Sequence, residues 1–375
     1  MKKELVLVGG GHAHMMVLEN IRQFVEKGVG VTVIGPSDYH YYSGMGPGML
    51  GGTYRPDDIR FSTRKVVEGQ GGVFVRDRVV RIDADRRAVL TETGSRHAYD
   101  LLSFNAGSYV PMNASGDSED SGNIYPVKPI EKLMEAADKL SRLFRERKIT
   151  VCIAGGGPSS AEVAGNVWQL AKATGGHMPR IIVFAGKKFM SRFPEPVRSR
   201  IVRILTRRGI VLDESGYVKQ VEPDRITLDT GKETAVDFIF MALGVKPSAI
   251  FEASGLPVGP DKGLLVNEFL QSVSHPEIFG GGDCICFDQQ PLDKVGVYAV
   301  RQNPVLLNNL MASLDSRPLE PFDPGPDYLL IFNAGGGQGV LKKHGLVFGG
   351  RIAFMIKDYI DRKFMKKFQA IEKTF

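Results

Sequence analysis

Cysteine is scarce: three in 375 residues, at positions 152, 284 and 286. An odd, sparse set argues against a secreted disulfide framework and fits a reducing compartment. No apolar run approaches the roughly 20 residues that a membrane-spanning helix requires, so any membrane contact is a surface contact. No secretory leader is expected, because Met1-Lys2-Lys3-Glu4 runs straight into a strand-like Leu5-Val6-Leu7-Val8 and a glycine turn. One sign of charge does not dominate either. The 48 Lys and Arg against 42 Asp and Glu leave +6, too evenly spread for a nucleic-acid binder. Apolar residues at 43% and charged residues at 24% exclude global disorder and fibrous repeats. Glycine, by contrast, is plentiful at 44 residues, which announces tight turns and close backbone approaches.

Those glycines mark an internal duplication. Leu5–Val8 leads into Gly9-Gly10-Gly11-His12-Ala13-His14, and Val151–Ala154 leads into Gly155-Gly156-Gly157-Pro158-Ser159-Ser160. A helical pattern follows each turn, with Gly28 and Gly175 placed to end it, and then a second strand, Val31–Ile34 or Ile181–Phe184. These are βαβ units with parallel strands. The copies stay in step further on. Gly94, Asp100 and Gly107 are spaced by six and seven residues, as are Gly231, Asp237 and Gly244. Each copy also carries an alternating segment, Val79–Leu90 or Val218–Leu228, that reads as a small antiparallel sheet. The expected fold is α/β: two Rossmann-like domains with parallel sheets, plus a C-terminal segment ending in an amphipathic helix. The expected divisions are 1–112 with 265–325, then 113–264, then 326–375 as a hairpin and helix.

A glycine turn between strand and helix lets a pyrophosphate approach the backbone, where the helix N-terminus offers free N–H groups. Two such turns in duplicated units predict two dinucleotide sites. Both depart from the usual fingerprint. His14 and Ser160 stand where a third glycine is usual, and Gly35 and Ala185 where an acidic residue usually holds a ribose hydroxyl. At the second turn Lys187, Lys188 and Arg192 follow closely, which leaves NADPH open beside NADH; the plain alternative is a solvated loop.

Taken in order, Gly9-Gly10-Gly11, Asn105-Ala106-Gly107, Gly155-Gly156-Gly157-Pro158, Ala242-Leu243-Gly244 and Gly281-Gly282-Asp283 resemble the FAD-dependent pyridine nucleotide-disulfide oxidoreductase superfamily, over residues 1 to about 320. Within it, Tyr39–Gly48 and Val297–Pro304 resemble the type II NADH dehydrogenase and sulfide:quinone reductase branch, and in particular the flavoproteins related to those fused to selenide water dikinase. The resemblance implies FAD at the first turn, with Gly9, Gly11, His12, Ala13, Gly46, Ala106, Gly107, Gly282, Asp283 and Gln302 around it. It implies NAD(P)H at the second, with Gly155, Gly157, Pro158, Ser159 and Gly244. It further implies Asp283 at the ribityl or pyrophosphate region and Gly46 and Pro47 near the flavin ring. Gln302 falls beside the flavin's pyrimidine edge and the quinone end, and Glu162 between nicotinamide and flavin. Glu162, Gln302 and Pro47 are therefore the candidate catalytic residues, although a helix carboxylate such as Glu162 can equally just cap or pair.

Hydride transfer needs positioning and exclusion of water more than a triad or a metal, and His12, His14 and His40 lack the further ligands a metal site needs. No cysteine precedes Cys152, which argues against dithiol chemistry, and neither Cys152 nor Cys284 stands where sulfide oxidation would need it. The C-terminal helix is the clue to the acceptor. Its apolar positions are Ile356, Ile360, Phe364, Phe368 and Ile371, with Met355 and Tyr359 alongside; Lys357, Arg362, Lys363, Lys366 and Lys367 oppose them. Residues 351–375 carry seven Lys and Arg against three Asp and Glu, a surplus of +4. Such a helix lies on an anionic membrane, where a quinone is reached, or packs on its own domain or a dimer mate. The reading is an FAD-dependent NAD(P)H:quinone oxidoreductase of the cytoplasm or the cytoplasmic membrane face, with a homodimer compatible. A redox partner or sensor that passes electrons to another protein, and a sulfide:quinone reductase, are the alternatives.

Overall fold

The computed structural model describes residues 2–112 and 122–374. The expected boundary at 112/113 therefore falls where a segment outside the described residues begins. The strands of the two main sheets are β1 (Glu4–Val8), β2 (Gly30–Gly35), β3 (Val73–Arg76), β4 (Leu101–Phe104), β5 (Ile124–Pro126), β6 (Thr150–Ala154), β7 (Arg180–Phe184), β8 (Val211–Asp213), β9 (Phe238–Met241) and β10 (Ile278–Gly280). The first sheet runs β10-β4-β1-β2-β3 and the second β5-β9-β6-β7-β8, with every pairing parallel. Their central strands are buried on both faces, which explains the unbroken apolar run Phe238–Met241 and the run Leu101–Phe104, interrupted only by the buried Ser103.

The duplication holds at the level of single hydrogen bonds. Asp100 Oδ2 accepts from the Glu4 N–H at 2.7 Å, and Asp237 Oδ2 accepts from the Thr150 N–H at 2.8 Å. Each aspartate thus pins the start of the first strand in its sheet. The antiparallel meanders Val79–Ala98 and Val218–Ala235 both form, each with a register shift near its start, between Val79 and Arg81 and between Val218 and Gln220. The segment at Phe279 joins the first sheet through β10, as the chain returns after the second unit.

Two elements differ from the sequence pattern. The first crossover helix is not continuous. After a 3₁₀ turn, Met15–Glu19 and Ile21–Glu26 are separated at Asn20, whose side-chain amide donates to the Met16 carbonyl at 2.7 Å. The expected C-terminal hairpin is a three-stranded antiparallel sheet, Leu330–Asn333, Gly339–Lys343 and Leu346–Gly350.

The helices that matter for the site are α1 (Glu131–Glu146), α2 (Pro158–Thr174), α3 (Gly296–Leu314) and α4 (Arg351–Thr374). Helix α2 starts on Pro158 and stops on Gly175, whose φ of +73° is the left-handed cap that glycine adopts most freely. Helix α4 rests on the C-terminal sheet at one end and on the first unit at the other, where Glu372 Oε2 accepts from the Ser62 N–H at 3.0 Å. No helix among the described residues is long and apolar enough to cross a membrane.

Candidate functional site

At the first turn, Gly9 has a φ of +86°, and a Cβ on it would lie 2.4 Å from the Asn105 carbonyl oxygen. A Cβ on Gly11 would lie 2.1 Å from Asn105 Oδ1. Only glycine fits either position. Asn105 ties three segments together: its Oδ1 accepts from the Ala13 N–H at 3.1 Å, and its Nδ2 donates to the Gly281 carbonyl at 2.6 Å. Gln302, buried on α3, accepts from the Gly282 N–H at 2.7 Å. Gly9, Gly11, Ala13, Ala106, Gly107, Gly282, Asp283 and Gln302 are thereby gathered around one turn. Sequence reasoning singled out all of these but missed Asn105 as the joint between them.

The Asp283 carboxylate accepts from Lys128 Nζ at 2.8 Å and from the Ser108 hydroxyl at 2.7 Å. Burial alone would push this carboxyl up, but the Lys128 ammonium and the Ser108 donor outweigh it and hold it below the ordinary aspartate range. Neither partner was singled out from the sequence, because both lie far from Asp283 along the chain.

The three histidines separate. His14 is fixed into the sheet, with Nδ1 2.7 Å from the Gly9 carbonyl and Nε2 2.8 Å from Ser103 Oγ. This explains its place in a usual glycine position: the imidazole itself fills the space between helix and strand. His12 and His40 meet edge to face at 5.1 Å in an aromatic cluster with Tyr42 and Phe364 of α4. Burial lowers the pKa of His12 and His14 to about 4 and of His40 to about 3, so all three are neutral at neutral pH.

At the second turn a Cβ on Gly155 would lie 2.2 Å from the Ala242 carbonyl oxygen, and one on Gly156 would lie 2.4 Å from that of Ala185. Around Gly157 and Gly244 a Cβ would meet nothing within 4 Å, so the turn opens toward solvent there. Pro158 and Ser159 are exposed, while Ser160 Oγ is buried without a partner. Open space at the start of a 17-residue helix, with free N–H groups in its first turn, is a cradle suited to an anionic pyrophosphate.

Gly46 and Pro47 sit in a short helix, Gly46–Leu50, that packs against α1 and α2 rather than against the first turn. Glu162, on α2, faces the C-terminal segment. Its Oε1 accepts from the Asn333 N–H at 2.7 Å. Close by on α4, Lys357 donates to Asp361 Oδ2 at 2.9 Å and to the Gly44 carbonyl at 2.9 Å, and Tyr42 Oη donates to Asp361 Oδ1 at 3.1 Å. Lys357 is therefore buried, contrary to the solvent-facing position expected for it. Its charge is balanced by Asp361, and the electrostatic field of Asp361 and Glu162 more than offsets burial and raises its pKa. Burial also raises the pKa of Glu162, and Lys357 only partly restrains that rise. The solvent face of α4 instead shows Ile352 at 67%, Met355 at 65% and Tyr359 at 67% exposure. Of the other expected cations, Arg362 pairs with Asp358 and Lys367 with Glu19, which leaves Lys363 and Lys366 exposed.

Cys284 is fully buried, donates to the Gly281 carbonyl, and has a pKa pushed up to about 11 by burial. Cys152 is equally buried within β6, and its thiol is also pushed up. Neither is poised as a thiolate at neutral pH.

Two glycine turns on duplicated parallel sheets define a protein with two dinucleotide-binding units. Residues 3–305 match the pyridine nucleotide-disulphide oxidoreductase family, and the chain belongs to it. Like its relatives it is a flavoprotein oxidoreductase that binds FAD and uses NAD(P)H. It is 22% identical to the type II NADH:quinone oxidoreductase of Staphylococcus aureus over 409 residues, covering 100% of this chain and 98% of that protein. NDH2 of Plasmodium falciparum has the same fold, with a TM-score of 0.82 at 14% identity over 100% of this chain and 97% of that one. So does the sulfide:quinone oxidoreductase of Aquifex aeolicus, with a TM-score of 0.79 at 18% identity over 98% and 92%.

Proposed function

We propose that this protein is an FAD-dependent NAD(P)H dehydrogenase that delivers its electrons to a quinone at a membrane surface. The observation that carries the acceptor is a cluster in which the buried Lys357 and Asp361 meet the half-buried Glu162 and Tyr42, and which joins the helix of the second turn to the helix that shows an apolar face. Relatives named NADH:quinone oxidoreductases along the full chain support the same reading.

Gly9, Gly11, His12, Ala13, Ala106, Gly107, Gly282, Asp283 and Gln302 would hold FAD, with Gly46 and Pro47 nearby. Gly155, Gly157, Pro158, Ser159 and Gly244 would hold NAD(P)H. Bound FAD supplies a reversible two-electron relay. The chain's own residues supply anion-binding backbone at both turns, and a proton. Reducing a quinone with NAD(P)H takes one proton beyond the hydride. One lysine neutralises one carboxylate, and Asp361 already takes Lys357 and Tyr42. Burial raises both carboxyls, but Glu162 keeps only a single backbone N–H donor, so it is the carboxyl suited to hold and release that proton.

The exposed Ile352, Met355 and Tyr359 fall on one stripe of α4 that continues into Lys363 and Lys366. Apolar groups followed by cations suit insertion at an anionic lipid surface. The test is anaerobic: bleaching of the flavin by NAD(P)H, followed by reoxidation with a lipophilic quinone in vesicles. Bleaching without reoxidation would overturn the quinone reading and turn attention to a protein acceptor.

A further inference from the structure

The loop that follows β7 carries a charge pattern that the glycine turn alone does not explain. Ala185 occupies the position at which an acidic side chain would grip a ribose 2′-hydroxyl. It lies directly against the turn, since a Cβ on Gly156 would meet its carbonyl. The chain then arches away and returns, with the Met190 N–H donating to the Gly156 carbonyl at 2.7 Å. Phe189 and Met190 are buried and anchor the return, while Lys187 and Lys188 stand exposed on the arch and Arg192 just beyond it. None of these three cations has an ion-pair or hydrogen-bond partner among the described residues.

The neighbouring carboxylates could still supply the missing acid, but both are engaged. Asp213, at the end of β8, accepts from Lys232 at 2.7 Å and from Ser215. Glu214 accepts from the Phe189 N–H at 2.6 Å and from Arg198. The Tyr217 ring lies against Gly186, where a Cβ would sit 2.5 Å from it, and so walls one side of the arch. An unpaired ribose hydroxyl finds no carboxylate here, whereas a doubly charged phosphate finds three uncommitted cations.

We infer that the donor site selects the 2′-phosphorylated nucleotide, NADPH, with Lys187, Lys188 and Arg192 receiving the 2′-phosphate. The inference rests on the proposed role of the second turn as the donor site, and it departs from the NADH in the names of the relatives.

Two measurements on the FAD-loaded protein test it. Calorimetry compares adenosine 2′,5′-bisphosphate with adenosine 5′-monophosphate, and stopped-flow absorbance compares flavin bleaching by NADPH and NADH. The bisphosphate is expected to bind at least about ten-fold more tightly, by a margin that shrinks with added salt. NADPH is expected to bleach the flavin at lower concentration than NADH. The combined variant Lys187→Ala, Lys188→Ala, Arg192→Ala changes only exposed side chains and should remove most of both margins. Equal binding of the two adenosine phosphates, a preference for NADH, or a preference unchanged in the triple variant would overturn the inference. Absence of bleaching by either nucleotide would instead defeat the dehydrogenase reading, while the calorimetric comparison still reports on the 2′-phosphate.

Discussion

Lys357 donates to Asp361 one turn further along α4, at 2.9 Å, with both side chains almost wholly withdrawn from solvent. An i,i+4 pair of this kind on a helix surface contributes a few tenths of a kcal/mol. Buried, it behaves differently. The pair tolerates its loss of hydration because Tyr42, the Gly44 carbonyl and the field of Glu162 complete the set.

Lys357→Met should therefore destabilise the protein by about 3–5 kcal/mol, because it leaves Asp361 buried without its cation. Combining it with Asp361→Leu should recover part of that loss. Chemical denaturation of the single and double variants gives the comparison. A double variant as unstable as the single one would show that the pair does not act as a unit.

Glu162→Gln removes the proposed proton store but keeps the shape. Flavin bleaching by NAD(P)H should stay close to the wild-type rate, and quinone-dependent reoxidation should slow by about 100-fold. The sign of the pH dependence follows from the raised pKa. Glu162 is protonated below its folded pKa, so reoxidation in the wild type should fall as pH rises through that value. The Gln variant should show a flat profile over the same range. A sloping profile retained in the variant would assign the proton to another group.

The two glycine turns and the paired sheets were legible because their causes are local and repeated. Asp100 and Asp237 sit at matching offsets since each pins a first strand, and Gly9 and Gly155 recur since a Cβ at either would strike backbone. What stayed illegible depended on partners distant in sequence. Lys128 and Asp283 are 155 residues apart, and Asn105 joins Ala13, 92 residues before it, to Gly281, 176 residues after it. Lys357 read as solvent-facing because apolar periodicity assigns every lysine to the outside. The Asp361 four residues on was the one available signal that a lysine there could be neutralised and buried.

His12, His14 and His40 should make the fold acid-labile. Their folded pKa values, about 4, about 4 and about 3, lie below the 6.5 of an exposed histidine. The folded state thus binds fewer protons than the unfolded one across that window. Stability should be full above about pH 6.5 and fall as pH drops toward 4, by up to about 1.4 kcal/mol per pH unit for each histidine. Melting temperatures at pH 7.5, 6 and 5 test the trend. His40→Phe should make the decline shallower, and an unchanged slope would show that His40 is not among its causes.

Ile352, Met355 and Tyr359 form an exposed apolar stripe on α4. If Ile352, Met355 and Tyr359 enter lipid, replacing all three with Ser removes most of the apolar area available for insertion, at about 25 cal/mol per Å². Because all three are more than half exposed, the fold should be unaffected. Lys363→Glu with Lys366→Glu instead removes only the electrostatic part of the attraction. Flotation with anionic vesicles separates the two contributions. The serine variant should lose binding at every salt concentration. The glutamate variant should lose it chiefly at low salt, where the wild type gains most from the anionic surface. Binding that survives the serine substitutions would mean that this face does not insert, and the quinone would then have to reach the site by another route.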